Sequence, residues 1–163
     1  MRRLRSWLAV GLLLIPLATR IHAADAKVRK VLPSLVDLEG RASLHPSLYE
    51  RDAYQAYLRK NPELVGGMRF DVHWSAPVAK AQPLELRLEL RGAALRTNNA
   101  PSGVTQTNAV TLTQAVTPPR FGARWTRVTL SPETLRQVGD VTAWKATLLR
   151  DGTELASTQS FLW

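Results

Sequence analysis

Leu84-Glu85-Leu86-Arg87-Leu88-Glu89-Leu90-Arg91 decides the fold class of this 163-residue chain. Leucine occupies every second position, and charges of alternating sign occupy the positions between. A helix would spread the four leucines around its circumference, whereas a strand collects all four on one face. Burying each leucine is worth roughly 1.5–3 kcal/mol before entropy costs. Leucine is not a favoured strand former, so pattern overrules propensity here.

Upstream, residues 67–75 (GMRFDVHWS) alternate in the same way. Met68, Phe70, Val72 and Trp74 face one side; Arg69, Asp71 and His73 face the other. Gly66-Gly67 before them reads as a turn. Residues 31–38 (VLPSLVDL) read as a first strand. Pro33 cannot donate to a ladder, so that strand belongs at a sheet edge or carries a bulge. Between these two strands, residues 47–59 (SLYERDAYQAYLR) read as a helix. Ser47 and Glu50 form a capping box, and Asn61-Pro62 ends the segment. Its apolar arc holds Tyr49, Ala53, Tyr54, Ala56, Tyr57 and Leu58, with Arg51, Asp52, Gln55 and Arg59 opposite.

Downstream, residues 96–108 form a polar loop and residues 109–117 (AVTLTQAVT) a Thr-rich strand. In residues 121–130 (FGARWTRVTL) Trp125 falls out of phase with Val128 and Leu130, which a bulge near Thr126 would correct. Ser131 and Pro132 open a one- to two-turn helix over residues 132–138 that Gly139 ends. Residues 141–150 form a strand, and Asp151-Gly152 turns it back into residues 153–163. Counted from that turn, Leu148 faces Leu155, and Trp144, Phe161 and Trp163 share the inward side.

The count is six or seven short antiparallel strands without strand–helix alternation, the pattern of a mainly β sandwich. The last part of the chain carries a more local pattern. A strand ends in Val128-Thr129-Leu130 and passes through the corner Ser131-Pro132-Glu133. A strand with an inward Trp144 follows, and then the closing hairpin. From residue 123 to 163 this resembles the E–F corner and F–G hairpin of immunoglobulin-like and fibronectin-III-like sandwiches. The chain departs from antibody-type domains in having no inter-sheet disulfide and no corner tyrosine. The resemblance implies an Ig-like β-sandwich with one inserted helix, and a fold of that kind does not fix a function.

Residues 1–23 have the order of an export signal: Arg2, Arg3 and Arg5, a 12-residue apolar run from Trp7 to Ala18, then Ile21-His22-Ala23 at the cut. The run is too short to span a bilayer, which takes about 20 apolar residues. Cleavage leaves residues 24–30 as a flexible start and residues 31–163 as one domain, without a transmembrane span. Without residues 1–23, 18 basic residues stand against 13 acidic ones, so the net charge falls from +9 to +5. The basic residues are interspersed with acids, which is not a nucleic-acid footprint. There is no cysteine, which excludes disulfides, thiolate metal sites and thiol nucleophiles.

The search for chemistry yields no catalytic set, no metal site and no cofactor motif. His45 and His73 lie near no Gly-x-Ser-x-Gly elbow. Asp71 and His73 share a strand face, which amphipathic alternation alone explains. Glu85 and Glu89 are separated by Arg87 in a charge ladder. The candidate binding residues are aromatic: Tyr49, Tyr54, Tyr57 and Trp125. The tyrosines cluster within nine residues and could instead seal the helix onto the sheet. Trp125 is the tryptophan that alternation leaves outside.

These readings point to an exported, non-catalytic binding or structural module of the cell envelope, periplasmic or extracellular, with an envelope protein or a polysaccharide as partner. A carbohydrate-binding sandwich using the four aromatics is the alternative. A small outer-membrane barrel, suggested by the aromatic pattern at Phe161 and Trp163, is a third reading.

Overall fold

A computed structural model describes residues 26–77, 83–93 and 107–163. The expected signal, residues 1–23, lies outside the described residues, as does most of the expected 96–108 loop. Among the described residues seven strands are formed: β1 (Lys27–Asp37), β2 (Val65–Ser75), β3 (Leu84–Ala93), β4 (Thr107–Val116), β5 (Arg124–Leu130), β6 (Asp140–Arg150) and β7 (Thr153–Gln159). Two helices join them, α1 (Leu48–Lys60) and α2 (Pro132–Val138).

The strands make two antiparallel sheets, β1-β2-β5 and β4-β3-β6-β7. Among the described residues both sheets are open, so the seven strands form a sandwich and not the closed barrel of the third reading. Leu84, Leu86, Leu88 and Leu90 are all buried, facing Phe70, Val72 and Trp74 of the opposite sheet in one core. Trp74 also satisfies its indole N–H, which donates to the Thr126 hydroxyl at 2.8 Å. The period-two pattern of β3 therefore acts as the sequence implies.

Several details differ from the sequence reading. Strand β1 starts at Lys27, so Lys27, Val28 and Lys30 are paired with β2, with Arg29 bulged between them, and are not a loose start. Pro33 sits on an edge strand, as its missing N–H requires. Gly66 and Gly67 lie inside β2, opposite the irregularity at Val36 and Asp37, and not in a turn. A Cβ at Gly66 would strike the Asp37 carbonyl, so close backbone approach explains that glycine. Strand β5 pairs with β2 without any register shift. Trp125 is simply an outward residue of a regular strand, and the expected bulge is absent. A bulge occurs instead in β7, just past the Asp151-Gly152 turn with both residues at positive φ: Leu149 pairs with Glu154 and Leu148 with Ala156, so Leu155 is the extra residue. The bulge pairs Leu148 with Ala156 and Lys145 with Gln159, one residue away from the simple count.

That slip changes the end of the chain. Strand β7 stops at Gln159, and Ser160 bonds Trp144 through its backbone N–H and its hydroxyl. Phe161 is fully exposed and does not enter the core. Trp163 carries the Arg91 guanidinium 4.0 Å above its ring, on the outward side of β3. Trp144 packs against the core while remaining partly open.

Candidate functional site

Two stretches on the three-stranded sheet and its flank carry the candidate residues, and the structure keeps them apart. The first lies where β1 ends. Asp37 is buried, and its carboxylate accepts from the Tyr54 hydroxyl (2.7 Å), the Arg41 Nε (2.8 Å) and the backbone N–H groups of Glu39 and Arg41. Burial pushes the Asp37 carboxyl up, but these four donors outweigh it and hold the group at about 2. The same contact raises the Tyr54 phenol, because ionising it would set an anion against the Asp37 carboxylate. Tyr54 thus locks the helix to the sheet and is not a free platform.

Beside this node α1 meets β1 through a residue that the helical wheel assigns to its polar side. Gln55 is buried, and its carboxamide behaves like a strand neighbour. Oε1 accepts from the Leu35 N–H at 2.8 Å, while Nε2 donates to the carbonyls of Leu35 (2.9 Å) and Ala42 (2.8 Å). Gln55 and Leu58 are the buried residues of α1. Tyr49 and Tyr57 are 83% and 50% exposed, so of the three tyrosines Tyr54 is the one that holds the helix onto the sheet. Tyr57 stacks on Tyr54, with ring centres 6.2 Å apart. The capping box is not formed either: the Ser47 side chain makes no cap bond, and Glu50 lies 3.6 Å from His45. A groove of about 220 Å³ between β1 and α1 is lined by Leu32, Pro33, Arg51, Asp52 and Arg59 among others.

The second stretch is the outward face of the same sheet, toward the other end of its strands. The register sets Lys30, His73 and Trp125 side by side in one row, and Leu32, Asp71 and Arg127 in the next. The Trp125 ring stacks on His73, with centres 4.6 Å apart and planes 16° from parallel. Trp125 is 49% exposed, so one side of this stack is open to solvent. Asp71 accepts from Arg69 Nε at 3.0 Å and from Arg127 Nε at 3.4 Å. It is clamped between two cations and does not orient His73 as a base partner would. The face is therefore a flat aromatic pair flanked by Lys30 and Arg127, while Arg124 alternates to the other side of β5 and donates to the Thr117 carbonyl at 3.1 Å.

His45 belongs to the helix flank and His73 to this face. Among the described residues no group of three or more His, Asp or Glu side chains could hold a metal ion. Of the four aromatics predicted from sequence, Trp125 stands alone. Asp37 pairs with Val65 and Trp125 with His73, eight residues further along β2, or roughly 26 Å at about 3.3 Å per residue. Sequence reasoning missed His73 as the partner of Trp125, since cross-strand register carries no local signature. It missed Asp37 and Gln55 because both read as ordinary polar residues. No protein-family profile, curated protein sequence or solved structure matches the chain.

Proposed function

We propose that the chain is an exported, non-catalytic binding module of the cell envelope that takes its ligand on the outward face around Trp125. Export rests on the charged, apolar and small-residue order of residues 1–23. The three-plus-four strand order, with the α2 corner between β5 and β6, supports an Ig-like reading of the sandwich. Among the described residues no helix is long and apolar enough to cross a membrane.

The observation that carries the binding reading is the half-open Trp125–His73 stack. Tryptophan offers a large rigid surface at low entropic cost and is enriched at binding sites. Here it is held by a regular strand, so its orientation is fixed before a ligand arrives. A polysaccharide suits this face best. The C–H side of a sugar ring covers the indole, and Lys30 and Arg127 meet hydroxyl or acidic substituents. The tyrosines are excluded from the site by their distance and by the Tyr54–Asp37 bond.

Binding of the purified protein to envelope polysaccharides, followed by calorimetry, tests this. Trp125→Ala should weaken binding at least tenfold, and Tyr49→Ala and Tyr57→Ala should leave it unchanged. Binding that survives Trp125→Ala would place the ligand elsewhere. Export is read separately, from an N-terminus at Ala24 in the exported protein.

A further inference from the structure

Four strands form the sheet edges: β1 and β5 in one sheet, β4 and β7 in the other. An edge strand presents unpaired N–H and C=O groups, which natural proteins guard with charge, proline, bulges or covering elements. Strand β1 has a proline, a bulge, terminal charges and the Gln55 carboxamide. Strand β5 carries Arg124 and Arg127, and β7 is short and carries Glu154. Strand β4 reads TNAVTLTQAV: ten residues with no charge, no proline and no register shift against β3. It is the one strand of the seven without a charged residue. Among the described residues no other backbone group bonds the outward edge of residues 108–116.

The layers also differ in width at this side. Leu86, Leu88 and Leu90 of β3 are fully buried. Their β4 neighbours on the same face, Gln114, Leu112 and Val110, are exposed, half-buried and half-buried. The four-stranded sheet therefore overhangs its three-stranded partner along β4, leaving apolar surface and backbone groups open together.

We infer that this edge pairs antiparallel with the β4 edge of a second copy of the chain. The sequence of the strand selects that occupant. Residues 109–115 (AVTLTQA) are nearly palindromic about Leu112. Antiparallel self-pairing centred there sets Leu112 against Leu112, Thr111 against Thr113 and Ala109 against Ala115. Val110 meets Gln114, and no charge meets a like charge anywhere in the row. A closed two-fold interface requires such self-complementarity, and opposed threonines are favourable cross-strand pairs. Elsewhere the chain is net basic, so β4 is also where two copies repel least. The two-fold axis stands perpendicular to the joined sheet, which becomes eight strands wide. Both three-stranded sheets then lie on one side of it, each β5 beside the open flank of the other copy, covering Leu112 and Val110. The pair would present its two Trp125 faces toward the same side. This pairing stands on the edge geometry alone and does not depend on the ligand proposed for Trp125.

The test uses protein made from the full 163-residue sequence and purified as the host processes it. Sedimentation velocity should show a reversible monomer–dimer equilibrium. Thr111→Lys with Thr113→Lys puts lysine against lysine twice across the axis and should raise the dimer Kd at least tenfold. Thr111→Glu with Thr113→Lys puts glutamate against lysine and should restore it. Because the chain has no cysteine, register can be read by cross-linking. Leu112→Cys should link to itself under oxidation, Ala115→Cys should not, and Ala109→Cys mixed with Ala115→Cys should give the mixed dimer. A monomer at every concentration overturns the proposal. So does a dimer that ignores the lysine pair, an Ala115→Cys variant that self-links as fast as Leu112→Cys, or a foreign strand captured by a chain that stays monomeric. Trp125→Ala should leave the dimer intact, which separates failure here from failure of the ligand reading.

Discussion

The edges of β1 and β4 solve the same problem in opposite ways. Each strand has one neighbour and therefore a row of backbone groups facing outward. On β1 the later part of that row is taken up. Leu35 gives its N–H and C=O to Gln55, and Pro33, two residues earlier on the same side, has no N–H to offer. Helix α1 is held in place for this by Asp37, which ties Tyr54 and Arg41 to the strand end. On β4 the row is left open over ten residues without a charge. The difference teaches that the insertion before β2 is an edge guard, and that its absence beside β4 is what makes that edge available.

Changes at the guarded edge should have the largest effects. Gln55→Ala leaves the N–H and C=O of Leu35 and the carbonyl of Ala42 without partners, at about 1–3 kcal/mol for each group that water cannot reach. A loss of about 2–4 kcal/mol in urea unfolding is the expected outcome. A loss below 1 kcal/mol would mean that α1 does not guard β1. Tyr54→Phe removes one hydrogen bond to a charged acceptor and should cost about 1.5–3 kcal/mol by the same measurement.

Acid should loosen the same node. Asp37 sits at about 2 in the folded chain against an ordinary 3.8, so its contribution is fully present above pH 4. It is lost as pH falls from there through 2, by roughly 1–2 kcal/mol. Tyr54 moves the opposite way: its phenol is raised, so its share is complete below its ordinary value near 10 and fades as pH rises beyond it. Urea midpoints between pH 2 and 5 check the first arm, and Asp37→Asn should flatten it.

The unguarded edge should be nearly silent in stability. Thr111 and Thr113 are exposed on the outward face of β4, so Thr111→Lys with Thr113→Lys should shift unfolding by about 0.5 kcal/mol or less. A shift above 2 kcal/mol would mean that these side chains are packed against something the monomer needs.

The strand pattern made most of this sandwich legible. LELRLELR placed β3, Pro33 marked an edge, and the alternation of 67–75 sorted Trp74 inward and His73 outward. The end of the chain was misread because a one-residue bulge at Leu155 is invisible to periodicity, yet moves every later pairing. The helix was misread because a wheel sorts residues by polarity. Gln55 is buried for its polarity, since its amide can replace a missing strand. The candidate site was half legible. Phase alone put Trp125 outside, but its stack on His73 depends on register between strands about fifty residues apart. Tyr49, Tyr54 and Tyr57 looked like a cluster in sequence, and Asp37, a single polar residue at the end of a strand, is what removes Tyr54 from it.

Native-state hydrogen exchange, run at low and at high protein concentration, tests the contrast between the edges most directly. The Leu35 amide should be protected equally at both, because its acceptor is the chain's own Gln55. The outward-pointing amides among residues 108–116 should exchange quickly in dilute solution and become protected as concentration rises. Protection of those β4 amides in dilute solution, or exchange that ignores concentration, would contradict the account.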